Sequence, residues 1–204
     1  MATVIDTVIF DLGGVLIDWN PRYMYQHIFK TNDAMEYFLS EICTNHWNEL
    51  QDGGRSFAEA TQILTDEFPH YTTEIAAYYS RWEEMLKGPI DETVLLLSEL
   101  KVSGKYRMYA LTNWSAESFP IALARFEFLH WFDGILVSGE ENMKKPDHKI
   151  FHLLMDRFSV DSEKALFIDD NQFNVKAAKE VGLNTIHYID SIQCRTDLQK
   201  YLIW

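Results

Sequence analysis

Residues 4–10 form an apolar run rich in β-branched side chains, interrupted only by Asp6 and Thr7, and this pattern predicts a buried strand. The run leads straight into Asp11-Leu12-Gly13-Gly14, where paired glycines mark a sharp turn or a close approach of backbone to something else. From 21 to about 87 the apolar positions take on helical spacing: Tyr25, Ile28 and Phe29 make one stripe, and Met35, Phe38, Leu39 and Ile42 another. Asp52-Gly53-Gly54-Arg55-Ser56 divides this stretch in two. Ser56 is placed to cap the helix that follows, with Glu59 three residues on in capping-box position. Gly88-Pro89 marks the end of the helical region.

Beyond it the pattern alternates. Helices are predicted over 91–102, 117–126, 149–157 and 175–181, and strands over 106–111, 135–137, 165–168 and 185–188, with Gly182 as the glycine just past a helix end. Strands separated by helices imply parallel pairing through helical crossovers, an α/β doubly wound, Rossmann-like sheet. The helical stretch then interrupts that core. Residues 1–16 and 89–204 are expected to form the α/β core, and 17–88 an inserted small helical cap.

A length of 204 residues suits one sizeable core with a small subdomain. The net charge of −13 argues against a nucleic-acid-binding face, since phosphates would meet repulsion. A small anionic substrate would need local positive charge from a metal ion, a lysine or helix N-termini. The two cysteines, Cys43 and Cys194, form no CxxC pair, so neither a disulfide framework nor a zinc site is expected. The opening MATVIDTVIF lacks the basic segment of a signal peptide, and no apolar run approaches a membrane span, so the expectation is a soluble cytoplasmic protein.

In doubly wound sheets, chemistry gathers where the C-terminal ends of strands meet their loops. Here the strand ends carry Asp11, Thr112-Asn113 and Asp169-Asp170, and a basic turn, Lys144-Lys145-Pro146, follows the strand at 135–137. A carboxylate at the end of a buried strand costs desolvation energy that a divalent cation offsets, and such a carboxylate can attack an electrophile without first losing a proton. The bland reading of Asp11 is a turn-forming aspartate. Asp169 and Asp170 repel each other unless a hard cation takes their oxygens, although one of them would serve equally as the cap of a helix starting near Asn174 or Val175. Thr112 and Asn113 offer a hydroxyl, amide donors and backbone N–H groups to phosphoryl oxygens, or else simply form a turn. Lys145, just before Pro146, is the better candidate of the two lysines to neutralise phosphoryl charge; a solvated surface position is the default for either.

Taken together, Phe-Asp-Leu-Gly-Gly-Val-Leu (10–16), Leu-Thr-Asn (111–113), Lys-Lys-Pro (144–146) and Phe-Ile-Asp-Asp-Asn-Gln-Phe-Asn-Val-Lys-Ala-Ala (167–178) resemble, in order, the motifs of the haloacid dehalogenase superfamily. The resemblance spans essentially the whole chain, the helical insertion included, and extends to phosphatases with Asp-Leu-Gly in the first motif, some of which act on sugar phosphates. It implies hydrolysis of a phosphomonoester of a small metabolite through an aspartyl-phosphate on Asp11. Mg2+ would be held by Asp11, the Gly13 carbonyl and Asp170, with Asp169 assisting. Thr112 and Lys145 would bind the phosphoryl oxygens in an in-line transfer.

The sequence departs from that pattern in two places. Family phosphatases usually carry a second aspartate two residues after the nucleophile as general acid and base, and here that position is Gly13. A backbone carbonyl ligand survives this change, whereas a proton donor worth ~10²–10⁴ in rate does not. Asp18 and nearby histidines are replacements by sequence proximity alone. Asn174 stands where many members have an aspartate that restrains the lysine. Metal-independent 2-haloacid dehalogenases also lack the second aspartate, but they generally carry small polar residues in place of Asp169-Asp170, so the double aspartate favours phosphorus over carbon. A catalytically impaired binding protein is a third reading. In the cap, Trp19, Trp47, Asn48 and Arg55 are candidates to face the pocket, Arg55 as a contact for an anionic or sugar group. Core packing for the tryptophans and solvation for the arginine are the alternatives. The seven histidines show no metal-ligand spacing.

Overall fold

A computed structural model describes residues 4–203; residues 1–3 and Trp204, which the expected core segments and the opening sequence include, lie outside the described residues. β1 (Thr7–Phe10) is buried along its whole length, as its β-branched run requires. A tight turn leads to β2 (Ile17–Trp19), and the helical insert follows as α1 (Arg22–Tyr25), α2 (Asn32–Tyr37), α3 (Asn45–Asp52), α4 (Phe57–Glu67) and α5 (Thr72–Ser80). Thr31, Thr44 and Ser56 each cap the next helix through a side-chain oxygen, Ser56 accepting from Glu59 N–H as its spacing predicts. The first stripe falls short of a full helix. After Tyr25 the N–H groups of His27 and Ile28 reach back only three residues, and the backbone passes into turns while Tyr25 stays buried.

β3 (Leu86–Pro89) returns antiparallel to β2, Ile17 opposite Pro89 and Asp18 opposite Gly88. The predicted break at Gly88-Pro89 is therefore part of a two-stranded neck that carries the chain into and out of the insert. The α/β alternation then runs through α6 (Asp91–Ser103), β4 (Arg107–Thr112), α7 (Phe119–Arg125), β5 (Gly134–Val137), α8 (Ser138–Glu141), α9 (His148–Phe158), β6 (Ala165–Asp169), α10 (Gln172–Glu180), β7 (Asn184–His187) and α11 (Ser191–Tyr201). α10 begins at Gln172 rather than near Asn174 or Val175, because Asn171 is its cap and accepts from Phe173 N–H. Its end is the predicted one: Gly182 takes φ +93°, its N–H meets the Lys179 carbonyl, and Leu183 N–H meets that of Ala178.

The five main strands form one parallel sheet in the order β5-β4-β1-β6-β7. β1 is central, with Phe10 in register with Ala110 on one side and Ile168 on the other. The residues just past those positions, Asp11, Leu111-Thr112 and Asp169, therefore arrive at the same edge. A continuous apolar core runs from the sheet face into the insert, where Tyr25, Phe38 and Tyr78 are fully buried. No helix among the described residues is long and apolar enough to cross a membrane.

Candidate active site

Asp11 is still tied to the sheet, its N–H donating to the Ile168 carbonyl at 2.8 Å, while its Oδ1 accepts from Leu12 N–H at 2.7 Å. The chain then folds back, with the N–H groups of Leu16 and Ile17 donating to the Leu12 carbonyl at 2.8 and 2.9 Å. Gly14 at φ +75° makes this possible, and a Cβ there would collide with the Asp170 carboxylate. Nothing lies within 4 Å of where a Cβ on Gly13 would point.

Lys145 is the centre of the charge cluster. Its ammonium donates to Asp11 Oδ1 at 2.9 Å, Asp169 Oδ2 at 2.7 Å and the Leu111 carbonyl at 2.8 Å, and its side chain is 0% exposed. All three donors are used. The loop bearing it is clasped by Asn113, whose side-chain oxygen accepts Lys145 N–H and whose Nδ2 donates to the Lys145 carbonyl, both at 2.9 Å. The Asn113 amide thus positions Lys145. Lys144 points the other way and pairs with Glu49 at 2.8 Å.

Asp169, also fully buried, accepts from Lys145, from Asn171 N–H at 2.8 Å and from Asn174 Nδ2 at 3.1 Å to each oxygen. The asparagine that departs from the family pattern therefore acts on Asp169, and through it on the lysine. Asp170 is the exposed member of the pair. Oxygens of Asp11, Asp169 and Asp170 all lie within 4.8 Å of one another, as a shared cation requires. Burial pushes the Asp11 carboxyl up to about 7; Lys145 pulls it down and Asp169 and Asp170 push it further up. The Asp170 carboxyl is raised too, first by burial and then by Asp169. Burial works against the Lys145 ammonium, yet Asp11 and Asp169 outweigh it and hold its pKa above the ordinary value. Three carboxylates against one ammonium leave this end of the sheet short of positive charge, and the donor set is all oxygen, which fits a hard divalent ion. The Thr112 hydroxyl, 1% exposed, meets no partner among the described residues, an unmade hydrogen bond that an anionic oxygen would complete.

Beside this cluster, between sheet edge and insert, is a cavity of about 100 Å³ that reaches Gly13. Its walls are aromatic: Trp19 from β2, Phe57, Tyr79 and Trp82 from the rest of the insert, and Trp114 after β4. Phe57 stacks on Tyr79 at 3.8 Å, and Trp82 meets Trp114 edge-on at 5.5 Å. Polar groups enter at Asn48, Asp52, Asn113, Ser115 and Ser118. Of the four expected pocket residues of the insert, Trp19 and Asn48 line the cavity. Trp47 is buried in the insert's own core, and Arg55 is turned onto the end of α3, donating to Gln51 at 2.7 Å and to the Trp47 carbonyl at 3.2 Å. Asp18 is held by the Tyr23 hydroxyl and Lys87, and neither it nor any histidine lines the cavity. Sequence reasoning missed Asp52, Phe57, Tyr79, Trp82 and Trp114. Only Trp114 carried a signal, standing directly after Thr112-Asn113.

The sequence relatives point the same way. The chain is 29% identical over 200 residues to a sesquiterpene phosphatase of Aspergillus oryzae, covering 98% of each protein. It is 22% identical over 183 residues to a phosphorylated carbohydrates phosphatase of Thermotoga maritima, covering 89% of this chain and 84% of that one. Its fold matches a HAD family enzyme of Bacteroides thetaiotaomicron, solved in complex with magnesium and inorganic phosphate, at TM-score 0.67 and 24% identity, covering 89% of this chain and 93% of that one. The family model of haloacid dehalogenase-like hydrolases matches residues 5–182. With that match laid over the charge cluster at the end of β1, the chain belongs to the haloacid dehalogenase-like hydrolases, an enzyme family in which its relatives include phosphatases.

Proposed function

We propose that this chain hydrolyses phosphomonoesters through a phosphoryl group carried on Asp11, with Mg2+ held by Asp11, the Gly13 carbonyl and Asp170. The observation that carries the reading is the convergence of Asp11, Asp169 and Asp170 around Lys145, beside the unpartnered Thr112 hydroxyl. Mg2+ held there would neutralise charge on the phosphoryl oxygens. Asp169 has its oxygens taken by Lys145, Asn171 and Asn174, so its part is to position the lysine. Thr112 supplies a pre-aimed hydroxyl. As Asp11 attacks, its charge passes to the transferring group, and the Lys145 donor now on Asp11 follows that charge to a phosphoryl oxygen. Asn113 keeps the lysine in place. The insert, residues 17–88, closes the site over the ester and excludes water.

A metal-independent dehalogenase would leave Asp170 beside two further carboxylates with the single Lys145 ammonium against all three, and a mere binding protein would not need Asp11 and Lys145 paired in this way. For the organic part of the ester, the aromatic walls favour a hydrocarbon group over a polyhydroxylated sugar, whose hydroxyls would lose water against rings. The similarity to a sesquiterpene phosphatase supports the same class. Arg55, turned away from the cavity, gives a sugar no guanidinium contact.

The test is phosphate release from a panel of terpenyl, alkyl, aryl and sugar phosphates, with and without EDTA, alongside chloride release from 2-chloropropionate. Magnesium-dependent release with terpenyl or alkyl esters preferred is the expected result. Activity surviving EDTA would remove the metal from the account, preference for sugar phosphates would remove the hydrocarbon substrate, and chloride release would favour the dehalogenase.

A further inference from the structure

Hydrolysis of an alkyl phosphate releases a strongly basic alkoxide, and a proton must reach it as the bond breaks. Position 13, where the family resemblance implies an aspartate for this, is glycine here. Among the described residues that line the cavity with Gly13, one is a carboxylic acid, and it comes from the helical insert: Asp52, the last residue of α3. We propose that Asp52 is the proton donor and acceptor of the reaction, in place of the carboxylate that position 13 lacks. The inference rests on the phosphatase reading above.

Although Asp52 belongs to the insert, it is fastened to the core. Its carbonyl accepts from the Ser138 hydroxyl at 2.6 Å, and that hydroxyl accepts from Trp114 N–H at 2.9 Å. The backbone N–H of Ser115 lies against its carboxylate and pulls its pKa down. Two further bonds hold the same turn to the core: Lys144 to Glu49 at 2.8 Å, and Phe57 N–H to Glu117 Oε1 at 2.7 Å. Asp52 is therefore fixed relative to the segment after β4 that begins with Asn113, and it lines the cavity.

Its environment suits the role. Burial is the largest influence and pushes its carboxyl up to about 7; Lys144 pulls it down, Glu49 pushes it up, and Ser115 N–H and Lys145 pull it down. A carboxyl in that range holds a proton near neutrality and surrenders it readily to an alkoxide. In the first step an Asp11 oxygen bonds to phosphorus, the ester P–O bond breaks, and the Asp52 proton goes to the departing oxygen, which leaves as the alcohol. In the second step the Asp52 carboxylate takes a proton from water as the water oxygen bonds to phosphorus. The Asp11–phosphorus bond then breaks, inorganic phosphate leaves, and both aspartates are restored.

Asp52→Asn keeps the shape and the acceptor for Ser115 N–H, so a purely structural role would survive it. The prediction is a loss of ~10²–10⁴ in kcat/KM on an alkyl phosphate, with a far smaller loss on a nitrophenyl phosphate whose leaving group needs no proton. The phosphorylated enzyme should accumulate on the nitrophenyl ester, since the second step lacks its base. Adding Gly13→Asp to this variant should restore alkyl phosphate hydrolysis. The decline of wild-type kcat on the alkyl ester as pH rises through about 7 should disappear in Asp52→Asn. Equal activity on the alkyl ester, or equal losses on both esters without accumulation, would overturn the role of Asp52 while leaving the phosphatase reading intact. A wild-type protein that hydrolyses neither ester would overturn both.

Discussion

Replacing Lys145 by methionine tests the charge cluster through stability alone. Methionine matches the length of the side chain and removes its charge, so packing is nearly kept while Asp11, Asp169 and the Leu111 carbonyl lose their donor. Breaking a buried ion pair by removing one partner costs about 3–5 kcal/mol, because the other charge is left buried and unpaired. For a chain of this size each kcal/mol moves Tm by about 2–4 °C, which places the expected drop at about 6–20 °C in EDTA. The pH dependence has a definite sign. The Asp11 carboxyl already stands at about 7, raised by burial against the pull of Lys145, and without the lysine it rises further. A carboxyl whose folded pKa exceeds its unfolded value contributes stability below the unfolded pKa and loses it as pH rises. The gap between variant and wild type should therefore be small near the ordinary carboxylate range and widest at neutral pH and above. Mg2+ at a hundredfold excess over its Kd should return about 2.7 kcal/mol. Thermal melts across pH, with and without Mg2+, measure all of this. A Tm within about 2 °C of wild type at neutral pH would show that the cluster is solvated and that the lysine holds nothing in place.

Gly14→Ala should cost about 1–2 kcal/mol for the left-handed backbone and drive the new methyl into the Asp170 carboxylate, so calorimetry should find weakened Mg2+ binding; unchanged affinity would remove Asp170 as a ligand. Gly13→Asp has open space and ordinary backbone, so stability should stay within about 0.5 kcal/mol with Mg2+ affinity retained, and loss of that affinity would show the carbonyl ligand to be misplaced. Asn174→Leu strips the amide donor shared by both oxygens of the buried Asp169 and should lower stability by about 1–3 kcal/mol, while a neutral result in denaturant unfolding would mean Asp169 needs only Lys145 and the Asn171 N–H. Phe57→Ala removes an aromatic wall worth about 1.5–3 kcal/mol of burial, so KM for a hydrocarbon ester should rise about 10-fold or more with little change for a small ester; equal effects on both would count against hydrocarbon recognition.

Much of the core could be read from sequence because its signals are local. Apolar β-branched runs, the Ser56 cap and the Gly182 terminus each act within a few residues, and the parallel sheet follows from alternating them. The charge cluster was also legible, since Asp11, Asp169 and Asp170 stand at strand ends and Lys145 in the basic turn between β5 and the next long helix. What the sequence could not show was produced by long-range contact. β2 and β3 are short strands, separated by the whole insert, and neither has a period long enough to detect. Asp52 reads as part of a glycine turn, and it reaches the cavity because Ser138 fastens that turn to the core. Arg55 misled for the converse reason: three residues further along the same turn, it folds back onto α3. The Asn174 change looked like a weakened restraint on Lys145, and the intermediate partner, Asp169, became visible only with α10 started at Gln172 and its first turn over β6.

The central claim is that Asp11 carries the phosphoryl group. The most direct measurement is acid quenching of the Mg2+-loaded enzyme during turnover of a phosphate ester, followed by peptide mass spectrometry. The account predicts a phosphoryl group on the peptide containing Asp11, lost in Asp11→Asn together with phosphate release. Phosphate release that persists in Asp11→Asn, or a phosphoryl group found on another residue, would contradict it.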